Sequence, residues 1–123
     1  MVVAVDSSTL IAFIQGDQGA DVENLDASLG NVALPPIVLS ELLSEPKLPP
    51  RYREMILDFP LLELQPDYWL RAAGSRGIIL ARKLRARLSD TLIAQSCIDH
   101  DVALITRDKD FRHFAKHCGL KLA

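Results

Sequence analysis

Apolar residues arrive along this chain in short runs that switch between two spacings. VVAV (residues 2–5) is apolar at every position, as a strand buried on both faces would be. In SSTLIAFIQ, which follows it, Leu10, Ile11 and Ile14 share one helical face, with Ser7 or Ser8 available as N-cap and Gly16 to close the helix. A second helix is expected over 21–29 from Val22, Leu25 and Leu29, and a short strand over VAL (32–34). Proline suits the first turn of a helix, so Pro35 and Pro36 introduce a helix in IVLSELLSE that ends before Pro46, and Pro49 and Pro50 open another through Met55. LLEL (61–64) reads as a third strand. From Pro66 to about Arg87 the pattern predicts one long or broken helical region, weakened by Gly74 and Gly77. Ser89 is placed to cap a helix in SDTLIAQSCIDH, with Leu92, Ile93, Ser96 and Cys97 facing inward. VALIT (102–106) is the fourth strand, DFRHFAKHC a helix stopped by Gly119, and LKL (120–122) a terminal strand.

Nearly continuous apolar strands separated by helices predict an α/β fold, a parallel sheet covered on both faces. In such sheets the functional crevice lies beyond the carboxyl ends of the strands, where their order reverses. Asp6 ends the first strand and Asp108 follows the fourth, so one crevice can hold both. A length of 123 residues bounds a single domain spanning 1–123, and 49% hydrophobic with 24% charged residues describes a chain able to bury a core. No apolar run is long enough to cross a bilayer and the start lacks the form of a signal peptide, so no membrane partner and a cytoplasmic location are expected. Cys97 and Cys118 lack metal spacing and are expected as reduced, semi-buried thiols.

Splitting the net charge of −2 along the chain is more informative than the total. Residues 1–46 carry seven acids and no Lys or Arg, whereas 47–123 carry all 14 cations. Arg71, Arg76, Arg82, Lys83, Arg85 and Arg87 follow one another with no intervening acid until Asp90. Such a stretch suits a polyanionic partner and equally suits a solvated helix face.

Each acid of interest has an ordinary alternative. Asp6 can be a helix N-cap, Asp90 can favour a helix dipole, and Asp108 and Asp110 can cap DFRHF, while Glu41 can be an exposed helical residue. Coincidence argues for more, because Glu41 sits among Leu39, Leu42 and Leu43 and Asp90 directly precedes the core stripe. Carboxylates within about 4–6 Å of one another repel and raise one another's pKa unless a cation neutralises them. Oxygen donors of this kind select Mg²⁺ or Mn²⁺, the ions of phosphodiester hydrolysis. Thr106 and Ser7 add hydroxyls able to fix carboxylate rotamers.

DSSTLIA (6–12), SELL (40–43), SDTLIAQ (89–95) and ITRDKDF (105–111), in this order and at these intervals, resemble the PIN-domain ribonucleases, and closely the VapC-type toxins of toxin-antitoxin pairs. The resemblance covers essentially the whole chain. It implies a three-layer α/β/α sandwich with a parallel five-stranded sheet, and an acidic quartet of Asp6, Glu41, Asp90 and Asp108 that binds Mg²⁺ or Mn²⁺ and hydrolyses RNA. Thr106 falls on the family's hydroxyl before the last acid, Ser7 on the Ser/Thr position after the first, and Asp110 on a less constant acid that is auxiliary. Implied partners are an RNA substrate, a cognate antitoxin of VapB type and a second copy in a homodimer. Arg82, Lys83, Arg85 and Arg87 are the candidates for gripping RNA backbone or acidic groups of the antitoxin.

Other features carry less. His113 and His117 have the i, i+4 spacing of a metal pair but enclose no Glu of a zinc-protease motif. Tyr52, Phe59 and Trp69 are able to stack on bases, although a chain with few aromatics needs most for packing. Cys97 belongs to the core. Two alternatives stand beside the nuclease: a non-catalytic RNA- or protein-binding module on the same scaffold, and an aspartyl phosphoacceptor or phosphatase built on Asp6. The second is disfavoured because Ser7, Ser8 and Thr9 follow Asp6 where such a site wants another acid.

Overall fold

The computed structural model describes residues 1–123. Three strands, β1 (Val3–Val5), β2 (Val32–Ala33) and β3 (Ala103–Ile105), form a parallel sheet in the order β2-β1-β3. Val3 pairs with Val32 on one side and Ala103 on the other, Ala4 with Ala33 and Leu104, and Val5 with Ile105. Neighbouring residues of a strand point to opposite faces. Ala4, Val5, Leu104 and Ile105 are nonetheless all at most 1% exposed, so helices cover the sheet on both sides, as the unbroken apolar runs require.

Between β1 and β2 lie α1 (Ser7–Gln15) and α2 (Ala20–Ser28), followed by a 3-10 turn at Leu29–Asn31. Four helices, α3 (Pro36–Leu43), α4 (Pro50–Asp58), α5 (Tyr68–Ala81) and α6 (Leu88–His100), separate β2 from β3, and α7 (Phe111–Cys118) follows. Pro36 and Pro50 occupy the first positions of α3 and α4, where a missing N–H costs nothing. α5 packs against α6 and α7, and α3 against α6 and α1. Phe111, Phe114, Leu10, Leu25, Ile56 and Ile79 are fully buried between these layers. No helix is long and apolar enough to cross a membrane. Both cysteines are free, Cys97 buried and Cys118 half-buried.

The sheet has three strands where five were expected. LLEL and LKL lie where those strands were foreseen but are reduced to single parallel bridges, Leu34 with Leu61 and Leu104 with Leu122. Pro60 and Pro66 bracket the first segment, each lacking a ladder donor. The second sits at the sheet edge, held by Leu104 N–H donating to Lys121 O and Ala123 N–H to Leu104 O.

Helical structure between Pro66 and Arg87 also differs from expectation. Gly74 and Gly77 lie inside an unbroken α5, and the helix stops instead at Ala81. Lys83 adopts a left-handed backbone (φ +60°), and its N–H donates to Leu80 O while Leu84 N–H reaches Ile79 O. This hydrogen-bond pair is a Schellman ending, which a glycine would ordinarily supply. Arg82, Lys83, Arg85 and Arg87 therefore occupy a loop and not a helix face. Arg87, not Ser89, is the N-cap of α6, and its carbonyl takes the Thr91 N–H and hydroxyl.

Candidate active site

The chain crosses from β2 past β1 to reach β3, so strand order reverses around β1, and the carboxyl ends of β1 and β3 open onto one crevice. Asp6 stands at the first of these ends. Its N–H still donates to Ile105 O in the ladder (3.2 Å), while its side chain caps α1 by accepting the Thr9 N–H at Oδ1 (3.2 Å). The cap alternative is therefore true, yet it leaves room for more. Ser8 Oγ lies 2.9 Å from each carboxylate oxygen, and Thr106 Oγ1 donates to Oδ2 at 2.7 Å. Burial pushes the Asp6 carboxyl up, against the pull of the Thr106, Thr9 and Ser8 hydrogen bonds, and the charge of Asp108 adds to the rise.

Beyond β3 the chain runs as a loop from Thr106 to Asp110 without regular structure. Thr106 Oγ1 accepts the Asp108 N–H at 3.0 Å while donating to Asp6, so one hydroxyl links the two strand ends. Asp108 Oδ1 in turn accepts the Asp110 N–H at 2.9 Å. Asp90, in the first turn of α6, faces this loop. One carboxylate oxygen from each of Asp90, Asp108 and Asp110 lies within 4.8 Å of the other two, and no other set of three or more His, Cys, Asp or Glu gathers in this way.

Asp90 is 8% exposed, and its Oδ2 is buried without a hydrogen-bond partner. Burial raises its pKa to about 6, helped by the charges of Asp108, Asp110 and Asp6 and opposed by Arg87. A buried oxygen acceptor with no donor, facing two further carboxylates, fits a divalent cation by charge and by donor type. Glu41 is exposed on α3 and joins the group through Ser7, whose hydroxyl donates to Glu41 Oε1 at 2.8 Å.

The predicted residues thus separate into a tight trio of Asp90, Asp108 and Asp110, with Asp6 held beside it by Thr106 and Glu41 tied to its rim by Ser7. Asp110, expected as auxiliary, stands inside the trio, whereas Asp6 and Glu41 stand outside it. Of the four loop cations, Arg85 approaches the trio, with Nε 3.8 Å from Asp110 Oδ2, and Arg87 is near enough to favour ionised Asp90. Arg76 fixes the loop by donating from Nε to Ala86 O (2.9 Å). His113 and His117 are half-buried on α7 with no third ligand, and burial pushes the Cys97 thiol up to about 12, which makes it inert as a nucleophile.

Four participants escaped the sequence reading. Ser8 and Thr9 follow Asp6 at the offsets by which a capped helix returns a hydroxyl or N–H, a local signal that was legible. Asp21 and Arg107 meet across 86 positions, and nothing local announces them.

Comparison with known proteins bears on the same region. The family profile for the PIN domain matches residues 3–117. The chain belongs to the PIN domain family. Among solved structures this PIN domain resembles VapBC2 from Rickettsia felis bound to a DNA fragment from the promoter, with TM-score 0.75 and 19% identity over 100% of this chain and 98% of that one. It also resembles VapBC-1 from nontypeable Haemophilus influenzae (TM-score 0.72, 14% identity, 100% and 97% covered) and VapBC-5 from Mycobacterium tuberculosis (0.68, 21%, 98% and 96%). At these identities the likeness is one of fold. No curated protein sequence matches this PIN domain significantly.

Proposed function

We propose that this PIN domain is a Mg²⁺- or Mn²⁺-dependent endoribonuclease and the toxin of a VapBC-type toxin-antitoxin pair. The observation that carries the reading is the convergence of Asp90, Asp108 and Asp110 at the carboxyl end of the sheet, with the partnerless Asp90 Oδ2 among them. Asp90, Asp108 and Asp110 would hold the ion, with Asp6 completing its surroundings. A divalent ion there supplies charge stabilisation on a phosphoryl oxygen and lowers the pKa of the attacking water.

The chain's own side chains do the rest. Thr106 fixes Asp6 and the root of the Asp108 loop. Ser7 orients Glu41, which positions the attacking water and takes up its proton. Arg82, Lys83, Arg85 and Arg87 draw the RNA backbone toward the carboxylates, which alone would repel it, and acidic groups of an antitoxin suit the same cations. The resemblance to VapBC structures supports the antitoxin partner, and a homodimer acting in the cytoplasm belongs to the same proposal.

Incubation of purified protein with single-stranded RNA and Mn²⁺ is expected to give products with 5′-phosphate and 3′-hydroxyl ends. Asp108→Asn should reduce the rate at least about 100-fold, the scale of removing an essential electrostatic group. EDTA should abolish cleavage in the unmodified protein. RNA binding that survives with no cleavage under any divalent ion would favour the binding-module alternative instead.

A further inference from the structure

Arg107 lies between Thr106 and Asp108, yet it reaches away from the acids. Its Nε donates to Asp21 Oδ2 (2.8 Å) and its Nη2 to Asp21 Oδ1 (3.1 Å), a forked pair on α2, and Nη2 also donates to Gln18 O at 3.2 Å. Asp21 Oδ2 accepts a further bond from Thr9 Oγ1 at 2.9 Å. Thr9 is fully buried, and its N–H is the one that holds Asp6. The contacts close a circuit: Asp6 to Thr106, along the chain to Arg107, across to Asp21, to Thr9 and back to Asp6.

We infer that Arg107 and Asp21 form a clamp that positions the loop bearing Asp108 and Asp110 for metal binding, an inference that rests on the metal-dependent reading above. The loop joins β3 to α7 and is held at its far end by the backbone of Asp110, which caps α7 and accepts the His113 N–H at 3.3 Å, but Asp108 and Asp110 carry like charges that drive their side chains away from Asp90 and from each other. Thr106 anchors the root by one hydroxyl, and the Arg85–Asp110 pair is long at 3.8 Å. A planar guanidinium bonded at two nitrogens fixes orientation as well as distance, which a lysine ammonium cannot do. Gly19 makes room for the pair. Its φ of +152° suits glycine, and a Cβ there would stand 2.6 Å from Asp21 Oδ1 and 3.0 Å from Arg107 Nη2.

Calorimetric titration of the full chain with Mn²⁺ alone, without RNA, tests the clamp independently of catalysis. Arg107→Gln and Asp21→Asn should each weaken Mn²⁺ binding about 10–100-fold, as loss of a group that orients metal ligands does. The double variant should bind no worse than either single one, because both remove the same contact. Gly19→Ala, which changes no charge, should weaken binding in the same direction and serves as the deciding variant if Arg107→Gln does not fold. Asp108→Asn separates the two levels of argument. Should it abolish Mn²⁺ binding while Arg107→Gln and Gly19→Ala bind as the unmodified protein does, the clamp is refuted and the metal site stands. Mn²⁺ binding unaffected by Asp108→Asn would remove the metal reading and the clamp with it.

Discussion

Asp90 brings a carboxylate into a buried position where Oδ2 meets no donor, and folding must therefore oppose its ionisation. Its pKa lies near 3.8 in an unfolded chain and about 6 in the folded one. Below pH 3.8 both states hold the proton and the contribution to stability is intact. As pH rises toward 6 the unfolded chain gives up its proton first, so stability falls through this window and stays lower above it. With allowance for solvent screening the loss is roughly 1–2 kcal/mol. Asp90→Asn should consequently melt several degrees higher than the unmodified protein at pH 7 in EDTA and lose most of the slope between about pH 4 and 6. Thermal melts across that range check it, and an Asn variant less stable at pH 7 would show that the burial strain is absent. Added Mn²⁺ should stabilise the unmodified protein far more than the variant.

At the scale of elements, α5 shows where a residue pattern informs and where it misleads. The sequence predicts helical structure here, but the two glycines expected to weaken it are tolerated, since Gly74 and Gly77 each face open space. Gly77→Ala should stabilise by roughly 0.5–1 kcal/mol. The real end is set by Lys83 in a left-handed conformation, and no composition rule marks a lysine for that role. Lys83→Gly should stabilise by about 1 kcal/mol, read from urea denaturation, because it relieves the Cβ penalty while the Leu84 N–H to Ile79 O bond persists. A similar gap explains the sheet. VVAV and VALI were legible as strands because every position is apolar, whereas LLEL and LKL each carry a charge and sit at edges, where one bridge each suffices. Among the acids of the candidate site, Asp6, Asp90 and Asp108 were legible because each stands at the end of a strand or the start of a helix, and Glu41 because it interrupts an apolar segment, while Asp110's place in the trio depends on a loop path that local pattern does not encode.

Over the whole molecule, charge is arranged as opposed territories. The acidic N-terminal third supplies Asp6, Asp21 and Glu41, and the later basic stretch supplies the loop beside Asp90 and Asp110. If the four loop cations each neutralise one phosphate, log affinity for single-stranded RNA should fall with log salt by about 0.7 per contact. Replacing Arg82, Lys83, Arg85 and Arg87 with glutamine should then flatten the slope by up to about 3, measured by fluorescence anisotropy between low and physiological salt. An unchanged slope would move RNA contact elsewhere on the surface.

The single oxygen of Thr106 joins segments separated by a hundred positions, accepting from one strand's exit while donating to the other's. Asp6 is made a hundred residues ahead of Thr106, and it gains this partner only when that later segment has emerged and docked. A chain still in synthesis, or cut short before Asp110, therefore carries its carboxylates unassembled.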